Sequence, residues 1–413
     1  MAERASHVRK TSASWPRLVL PLMLTAAISG SLSALFLVSL EMVTRWHAQH
    51  RWLLLGLPLA GMGMVWLYQK YGGLAGRGSH LLVEEIHELR GHVPLRMAPL
   101  VLITTLVTHL FGGSAGREGT AVQMGGAVSA WLSRVFALGP SQQRTLLMAG
   151  IAAGFGAVFG TPFAGAVFAV ELPVRGRWQI RGLLPCLGAS WLGHLTCHLW
   201  GVMHIDYRAL GLSPAGMGSV SWPLLAAVAL AALLFGLCGR LFVALSHQAP
   251  LWLERCCPRP WARPVVGGLM VIGLVYALGN ADYLGLGVSP QRDGGVCLLS
   301  SFSPGGADSW SWWWKMLFTV ITLSSGFKGG EVTPLFFIGA ALGNALAMAT
   351  GQPVALFAGL GMVAVFAAAA NTPLACAILG WELFGPHHAM LFAVTCLIAF
   401  LVSGRAGIYQ HQR

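Results

Sequence analysis

Charged side chains are scarce in this sequence of 413 residues: Asp, Glu, Lys and Arg make up 10% of it, whereas apolar residues make up 55%. A soluble globular chain carries about 25% of those charged residues, which cover its water-facing surface. The composition therefore excludes an ordinary soluble enzyme. The high apolar content and the lack of a fixed glycine period also exclude a disordered or collagen-like chain.

Acidic residues are the rarest of the charged residues, with 14 against 26 Lys and Arg, which gives a net charge of +12. Such a balance first suggests a nucleic-acid partner. The basic residues lie in short loops and at the ends, however, where they orient a membrane protein. We therefore expect no nucleic-acid partner. A cytoplasmic N-terminus without a cleavable signal peptide is predicted from the four basic residues that precede the first apolar run, Arg4, Arg9, Lys10 and Arg17.

Long runs without charge indicate membrane-spanning helices. Leu18–Leu40 has 23 residues without Asp, Glu, Lys or Arg, Thr145–Val170 has 26 and Val332–Trp381 has 50. Because a crossing takes about 20 apolar residues, each of the longest runs is expected to hold two segments, broken at Gly or Pro. The sequence predicts an all-α polytopic membrane protein with about ten to twelve crossing or half-crossing segments.

Cysteine and histidine give little sign of a disulfide framework or a metal centre. Most of the eight cysteines lie in apolar stretches, where buried thiols pack as small hydrophobic groups. His194, Cys197 and His198 share a helical spacing, but histidines in an apolar segment more often bond a neighbouring helix. Neither a metal nor a cofactor is expected, and we expect a protein that is not an enzyme.

Two matching segments divide the chain into halves. Six residues recur at a constant offset of 211: Thr161, Pro162, Ala164, Ala166, Glu171 and Leu172 return as Thr372, Pro373, Ala375, Ala377, Glu382 and Leu383. Paired, broken apolar segments in corresponding positions are typical of transporters built from repeats. The predicted organisation has four parts: a cytoplasmic segment 1–15, a first membrane repeat 16–205, a second membrane repeat 206–405 and a tail 406–413.

Two glutamates lie in glycine-rich breaks at corresponding places of the two halves. Glu118 lies in a break after an apolar run, and Glu331 lies in the corresponding break of the second half. The first N–H groups of a helix lack intrahelical partners, and glycine lets an anion approach them closely. The carboxylate of a glutamate there competes with the anion for these N–H groups. When it is protonated, it can leave the site to the anion. One residue can thus couple anion movement to proton movement.

Other glutamates have structural interpretations that compete with a transport role. Glu331 could pair with Lys328, and Glu118 could be a structural acid in the first helical turn. Glu171 and Glu382 precede prolines and are expected to orient helix ends. A solvated face is expected for the three acids of the short amphipathic segment 80–90, Glu84, Glu85 and Glu88.

Four sequence features resemble the CLC family of anion channels and exchangers. They are Gly-Arg-Glu-Gly-Thr at 116–120, Gly-Arg-Gly at 76–78, Gly-Phe-Lys-Gly-Gly-Glu-Val-Thr-Pro at 326–334, and Tyr409 near the C-terminus. The resemblance covers essentially the whole membrane domain. It implies the CLC fold, in which two inverted-topology helical repeats place broken helices around a mid-membrane anion site. It also implies a homodimer with one pore per subunit.

Three departures are similar to the CLC-F branch, which exports fluoride in exchange for protons. Thr120 stands where chloride-type members have proline, segment 76–80 has no central serine in register, and segment 330–334 lacks the usual phenylalanine. The position of the second acid of chloride exchangers falls on Leu172. The resemblance thus implies a fluoride/proton antiporter of the inner (plasma) membrane. The alternative, favoured by Ser79, is a chloride-selective channel or chloride/proton exchanger.

The resemblance also implies roles for individual residues. Glu118 is expected to be the gating glutamate that carries protons, with Glu331 and Thr333 as further members of a proton pathway. Fluoride or chloride is the expected ligand, beside protons and the surrounding lipid. Residues expected to bind the anion are Gly116, Arg117, Gly119, Thr120, Gly78, Ser79, His80, Val332, Thr333 and Tyr409.

Overall fold

The computed structural model describes residues 15–175, 179–210, 222–409 and 412, most of which lie in helices. The cytoplasmic segment predicted over 1–15 therefore lies outside the described residues, apart from Trp15. The α-helices of the described part are α1 (Trp15–Gln49), α2 (Leu57–Leu67), α3 (Ser79–Glu88), α4 (Met97–Leu110), α5 (Glu118–Val135), α6 (Pro140–Phe159), α7 (Pro162–Glu171), α8 (Leu183–Leu199), α9 (Trp222–Cys256), α10 (Ala262–Leu278), α11 (Ser311–Ser324), α12 (Val332–Thr350), α13 (Val354–Ala370), α14 (Pro373–Phe384) and α15 (Ala389–Ser403).

Five segments are long and apolar enough to cross a membrane: Pro16–Gln49, Arg51–Arg77, Trp222–Cys256, Val332–Thr350 and Pro386–Ser403. A further five shorter apolar helices of 10–17 residues lie among the described residues. An α-helix rises about 1.5 Å per residue, so a helix of ten residues reaches only about halfway across the hydrocarbon layer. The chain therefore combines helices that are long enough to cross a membrane with apolar helices that are too short to do so.

The uncharged run Val332–Trp381 holds α12, α13 and most of α14, so the prediction of two segments is wrong. Gly351 has a φ of +66° and Asn371 has a φ of +58°, and each ends a helix in the left-handed conformation. Pro373 then begins α14, since proline suits the first turn of a helix. A third segment fits because α14 has only 12 residues.

The sequence repeat corresponds to a repeated helix crossing. In the first half, a Cβ on Gly125 of α5 would lie 2.1 Å from the carbonyl oxygen of Gly150 in α6. In the second half, a Cβ on Gly339 of α12 would lie 2.0 Å from the carbonyl oxygen of Gly361 in α13. Small residues allow helices to approach closely in membranes. Both crossings leave no room for a side chain, so the two repeats pack corresponding helices in the same close way.

Candidate anion site

The breaks before α5 and α12 meet through their backbones. Gly116 and Gly330 form an antiparallel pair in which Gly116 N donates to Gly330 O at 2.6 Å and Gly330 N donates to Gly116 O at 2.8 Å. The pair brings together the N-terminal ends of two helices, one from each repeat. Because these ends carry partial positive charge and N–H donors without intrahelical partners, they form a candidate binding site for an anion.

Glycine is required at this junction because the two backbones are in direct contact. A Cβ on Gly330 would lie 2.8 Å from the backbone nitrogen of Gly119, and a Cβ on Gly329 would lie 2.4 Å from the Cβ of Ala115. A Cβ on Gly119 would lie 3.1 Å from the Cα of Gly330. Side chains at these positions would push the two helix ends apart.

Glu118 is the first residue of α5, and its carboxylate is held by the second repeat. It is 1% exposed. Its Oε2 accepts hydrogen bonds from the backbone N–H groups of Thr333 and Arg117, both at 3.1 Å, and its Oε1 accepts from the hydroxyl of Thr333. The Arg117 Nε lies 3.5 Å from Glu118 Oε1. The carboxylate thus takes up donors of the α12 N-terminus that could otherwise serve an anion.

A cavity of about 210 Å³ lies beside this junction. The predicted residues that line it come from both halves of the chain: Gly78, Ser79, His80, Gly119, Glu331 and Tyr409. Gly78 has a φ of +58° and precedes the first turn of α3, as the Gly-Arg-Gly motif indicates. The structure therefore brings the predicted α3 start and the C-terminal tyrosine to one space.

The remaining predicted residues lie at the helix junction and not on the cavity wall. Thr120 is fully buried, and its hydroxyl shares a hydrogen bond of 2.8 Å with the hydroxyl of Thr105. Val332 is the buried first residue of α12. Gly116, Arg117 and Thr333 surround the Glu118 carboxylate. The cavity-lining residues and the junction residues meet at Gly119 and Gly330. Both glycines line the cavity, and their backbones are in contact at the junction.

Tyr409 is held at the cavity by the tail that precedes and follows it. The residue is 4% exposed, and its ring packs edge-on against Phe168, with ring centroids 5.9 Å apart. The neighbouring Ile408 donates its N–H to Ala369 O at 2.8 Å. The tyrosine therefore reaches the site from a tail that is bound to the end of α13.

A polar clasp fixes that tail, and the sequence interpretation missed it. Gln412 Nε2 donates to Leu172 O at 3.2 Å and to Ala370 O at 2.9 Å, which are the C-terminal carbonyls of α7 and α13. Asn371 Nδ2 donates to Gln412 Oε1 at 3.1 Å, and Arg175 Nε donates to Asn371 Oδ1 at 3.2 Å. Arg175 also donates to Gly404 O. These contacts join residues far apart in sequence, so no local pattern indicates them.

Glu171 and Glu382 exchange helix caps across the two repeats, which agrees with their expected role at helix ends. Glu171, at the end of α7, accepts from the N–H groups of Leu374 and Ala375 at 3.1 and 2.8 Å. Glu382, near the end of α14, accepts from Phe163 and Ala164 at 3.0 and 2.7 Å in the α7 first turn. Helices that cap each other in this way run antiparallel, as an inverted repeat requires.

The alternative in which Glu331 pairs with Lys328 is not found among the ion pairs of the described residues. Lys328 Nζ instead donates to Gly76 O at 3.3 Å and lies 4.6 Å from the ring centroid of Tyr68. The expectation of a solvated face is wrong for Glu85. That residue is 7% exposed, because its carboxylate accepts from the backbone N–H groups that follow α3.

Gln123 is a further cavity residue that the sequence interpretation missed. Its Nε2 donates to the hydroxyl of Ser79 at 3.3 Å. Gln123 lies four residues after Gly119, so both occupy one face of α5, and both line the cavity. That spacing was the available signal. For His194, Cys197 and His198, the described part of the chain contains no group of three metal-binding side chains suited to a metal ion.

Comparisons with known proteins agree with this architecture. A family model described as "Voltage gated chloride channel" matches residues 60–404. A protein of Pseudomonas syringae pv. tomato, named "Chloride/fluoride channel protein", is 46% identical over 94% of this chain and 85% of its own length. The "H(+)/Cl(-) exchange transporter ClcA" of Yersinia pseudotuberculosis (strain PB1/+) is 28% identical over 92% of this chain and 84% of its own length.

Solved structures resemble the fold over nearly the whole chain. The crystal structure of a CLC-type fluoride/proton antiporter matches with a TM-score of 0.90 and 33% identity, covering 98% of this chain and 99% of the other. A slow cyanobacterial Cl⁻/H⁺ antiporter matches with a TM-score of 0.75 and 21% identity, covering 94% of each chain. The second match supports the fold alone. Together they confirm the predicted fold.

Proposed function

This chain belongs to the CLC family of anion channels and exchangers, and we propose that it exchanges fluoride for protons across a membrane. The observation that carries the proposal is the buried Glu118 carboxylate, which Thr333 holds at a helix N-terminus through two hydrogen bonds. A carboxylate in that position competes with an anion for the same donors. The fluoride in the names of the Pseudomonas relative and of the solved antiporter supports the choice of anion.

In this proposal the anion is bound by hydrogen-bond donors of the protein and not by a bound metal cation. The N–H groups at the starts of α5 and α12 converge at the Gly116–Gly330 pair, and Thr333 adds a hydroxyl. Tyr409 lines the adjoining cavity with its phenol. Fluoride holds its water strongly, so a site for it needs closely spaced donors to replace that water. These groups supply such donors when the Glu118 carboxylate leaves.

Proton movement begins at the same carboxylate. Protonation removes the charge of Glu118 and weakens its hold on the N–H group of Thr333, because charge-assisted hydrogen bonds are the stronger ones. The Thr333 hydroxyl bonds the carboxylate directly. Glu331 lines the cavity two residues away, which suits a second proton carrier. The anion then binds the donors that Glu118 has released, while the proton moves away on Glu118. The two ions therefore move in opposite directions.

The direction of transport follows from the expected orientation. The basic residues before α1 favour a cytoplasmic N-terminus in an inner or plasma membrane. An inward proton gradient then drives fluoride out of the cytoplasm. The cavity at Ser79, Lys328 and Tyr409 is proposed to face the cytoplasm and to receive the ion first.

We also propose that two copies of the chain form the functional unit. The helices α8 and α15 occupy corresponding places in the two repeats, and each carries a stripe of exposed apolar side chains at helical spacing. The stripes are Leu184, Trp191, Leu195 and Leu199 in α8, and Met390, Val394, Leu397 and Leu401 in α15. A second copy would cover both stripes at once. Cysteine cross-linking between paired Leu397→Cys chains in the membrane tests this arrangement.

The test of the proposed function is ion efflux from proteoliposomes that contain the purified protein. Fluoride and chloride electrodes are read in parallel runs while a pH electrode records proton movement. Fluoride efflux with proton uptake, and far slower chloride efflux, is the expected result. Absence of anion efflux in protein that elutes as a single folded species would contradict transport.

A chloride-selective protein is the second candidate, and Ser79 supports it. Ser79 lines the cavity and accepts a hydrogen bond from Gln123 at 3.3 Å, so its hydroxyl is fixed close to the ion path. Comparable rates of chloride and fluoride efflux would favour this candidate. The substitution Ser79→Met would then be the next variant, with a fall in chloride rate as the expected result.

A further inference from the structure

The cavity beside the helix junction contains one cationic side chain whose charge no carboxylate opposes. Its described lining includes one arginine and one lysine, Arg77 and Lys328. The Arg77 guanidinium is paired with the carboxylate of Glu84. Lys328 has no carboxylate within ion-pair distance among the described residues, although Glu331 lines the same cavity. The positive charge of the cavity therefore centres on Lys328.

Neutral groups hold Lys328 in place. Its Nζ donates to Gly76 O at 3.3 Å and lies over the ring of Tyr68, 4.6 Å from the centroid. An ammonium group has three donors, and a carbonyl and a ring face leave its charge uncompensated. The lysine joins the segment before α3 to the break before α12, and both segments line the cavity. Its side chain is half-buried, so one part packs against the cavity lining and another part is accessible to solvent.

We propose that Lys328 is the residue that captures the anion at the cavity, before the anion reaches Glu118. The inference rests on the proposed function and adds a residue that the junction does not contain. A positive charge that no carboxylate pairs with, placed in a concave space, raises the local concentration of anions, and this effect falls with ionic strength. Lys328 bonds Gly76 and does not contact the Glu118 carboxylate, so we expect its charge to act first on anion entry.

The test is the concentration dependence of fluoride efflux for wild type and Lys328→Gln. The substitution keeps a side chain that can bond Gly76 O but removes the charge. We expect the apparent KM for fluoride to rise about tenfold, at the low end of electrostatic steering effects, with an unchanged maximal rate and proton coupling. Added inert salt should raise the wild-type KM and leave that of the variant unchanged.

Two further variants separate charge from packing. Lys328→Arg keeps the charge and should restore the KM to within about twofold of wild type, since steering depends on charge. Lys70→Gln is the matched control, because Lys70 also lies over aromatic rings, 5.1 Å from the centroid of Trp66 and 5.3 Å from that of Tyr71. Lys70 does not belong to the cavity lining, so its loss should leave the KM unchanged.

Failure of this proposal differs from failure of the proposed function. If wild type does not move fluoride, the function is wrong. If wild type moves fluoride and Lys328→Gln has the wild-type KM, the capture role is wrong. A lower maximal rate at an unchanged KM, not rescued by Lys328→Arg, indicates a packing role and also contradicts capture. Should Lys328→Gln not fold, a wild-type KM that does not change with ionic strength overturns the proposal.

Discussion

Thr333 donates both its backbone N–H and its hydroxyl to the carboxylate of Glu118, so the second repeat holds the acid of the first. The two residues are 215 positions apart in sequence. The contact exists because Gly116 and Gly330 pair through their backbones and bring the two helix starts together. In the proposed mechanism, coupling between anion and proton therefore depends on contact between the repeats.

Removing the Thr333 hydroxyl should weaken the hold on Glu118. In Thr333→Val the backbone N–H remains and the side-chain shape is kept, but the hydroxyl is lost. Hydrogen bonds to charged groups contribute about 1.5–3 kcal/mol. A loss of that size corresponds to roughly a 10- to 150-fold fall in the fluoride-coupled proton rate, which is measured in proteoliposomes. Thr333→Ser, which restores the hydroxyl, should stay close to wild type, and equal loss in both variants would contradict this role.

A methyl group at the junction should separate the two helix starts. In Gly330→Ala the new Cβ would lie 2.8 Å from the backbone nitrogen of Gly119, which cannot move freely. We expect fluoride transport to fall by at least about tenfold, since a small misplacement of a site can have that effect. Gly273→Ala in α10 is the control, because its Cβ would meet no atom within 4 Å. Wild-type transport in Gly330→Ala would show that close contact is not required.

The reciprocal caps should contribute to stability more than to transport chemistry. Glu382→Gln replaces one acceptor oxygen by an NH₂ group facing the N–H groups of Phe163 and Ala164. Loss of a helix cap costs about 0.5–2 kcal/mol, so the thermal unfolding midpoint in detergent should fall. Glu41→Gln is the matched control, since its carboxylate pairs with Arg45 on the exposed surface of α1. Equal midpoints for Glu382→Gln and Glu41→Gln would argue against a capping role.

Release of the tail clasp should expose the segment that carries Tyr409. Arg175→Ala removes the donors to Asn371 Oδ1 and Gly404 O, while the contacts of Gln412 and the Ile408 N–H bond to Ala369 O remain. We expect faster hydrogen exchange at the N–H of Ile408 and slower fluoride transport. Arg405→Ala serves as the control, because Arg405 is an exposed residue of the same tail. Unchanged exchange at Ile408 would show that the clasp does not position the tail.

The sequence predicted the parts of this protein that local chemistry determines. Glycine-rich breaks next to apolar runs indicated where α5 and α12 begin, and the scarcity of acids drew attention to Glu118. The resemblance added Tyr409, which no local pattern identifies. The contacts between the repeats could not be predicted, because the clasp of Arg175 with Gln412 depends on tertiary packing. The third helix of the run Val332–Trp381 was missed because α14, with 12 residues, is shorter than a complete membrane crossing.

The central claim is that Glu118 couples fluoride to protons, and Glu118→Gln tests it most directly. Glutamine keeps the size and an acceptor for the Thr333 donors but cannot take up and release a proton. Fluoride efflux and proton uptake are recorded together in proteoliposomes of wild type and variant. We predict counter-movement of the two ions in wild type and loss of proton uptake in Glu118→Gln, with fluoride efflux abolished or uncoupled. Proton uptake at the wild-type rate in Glu118→Gln would contradict the account.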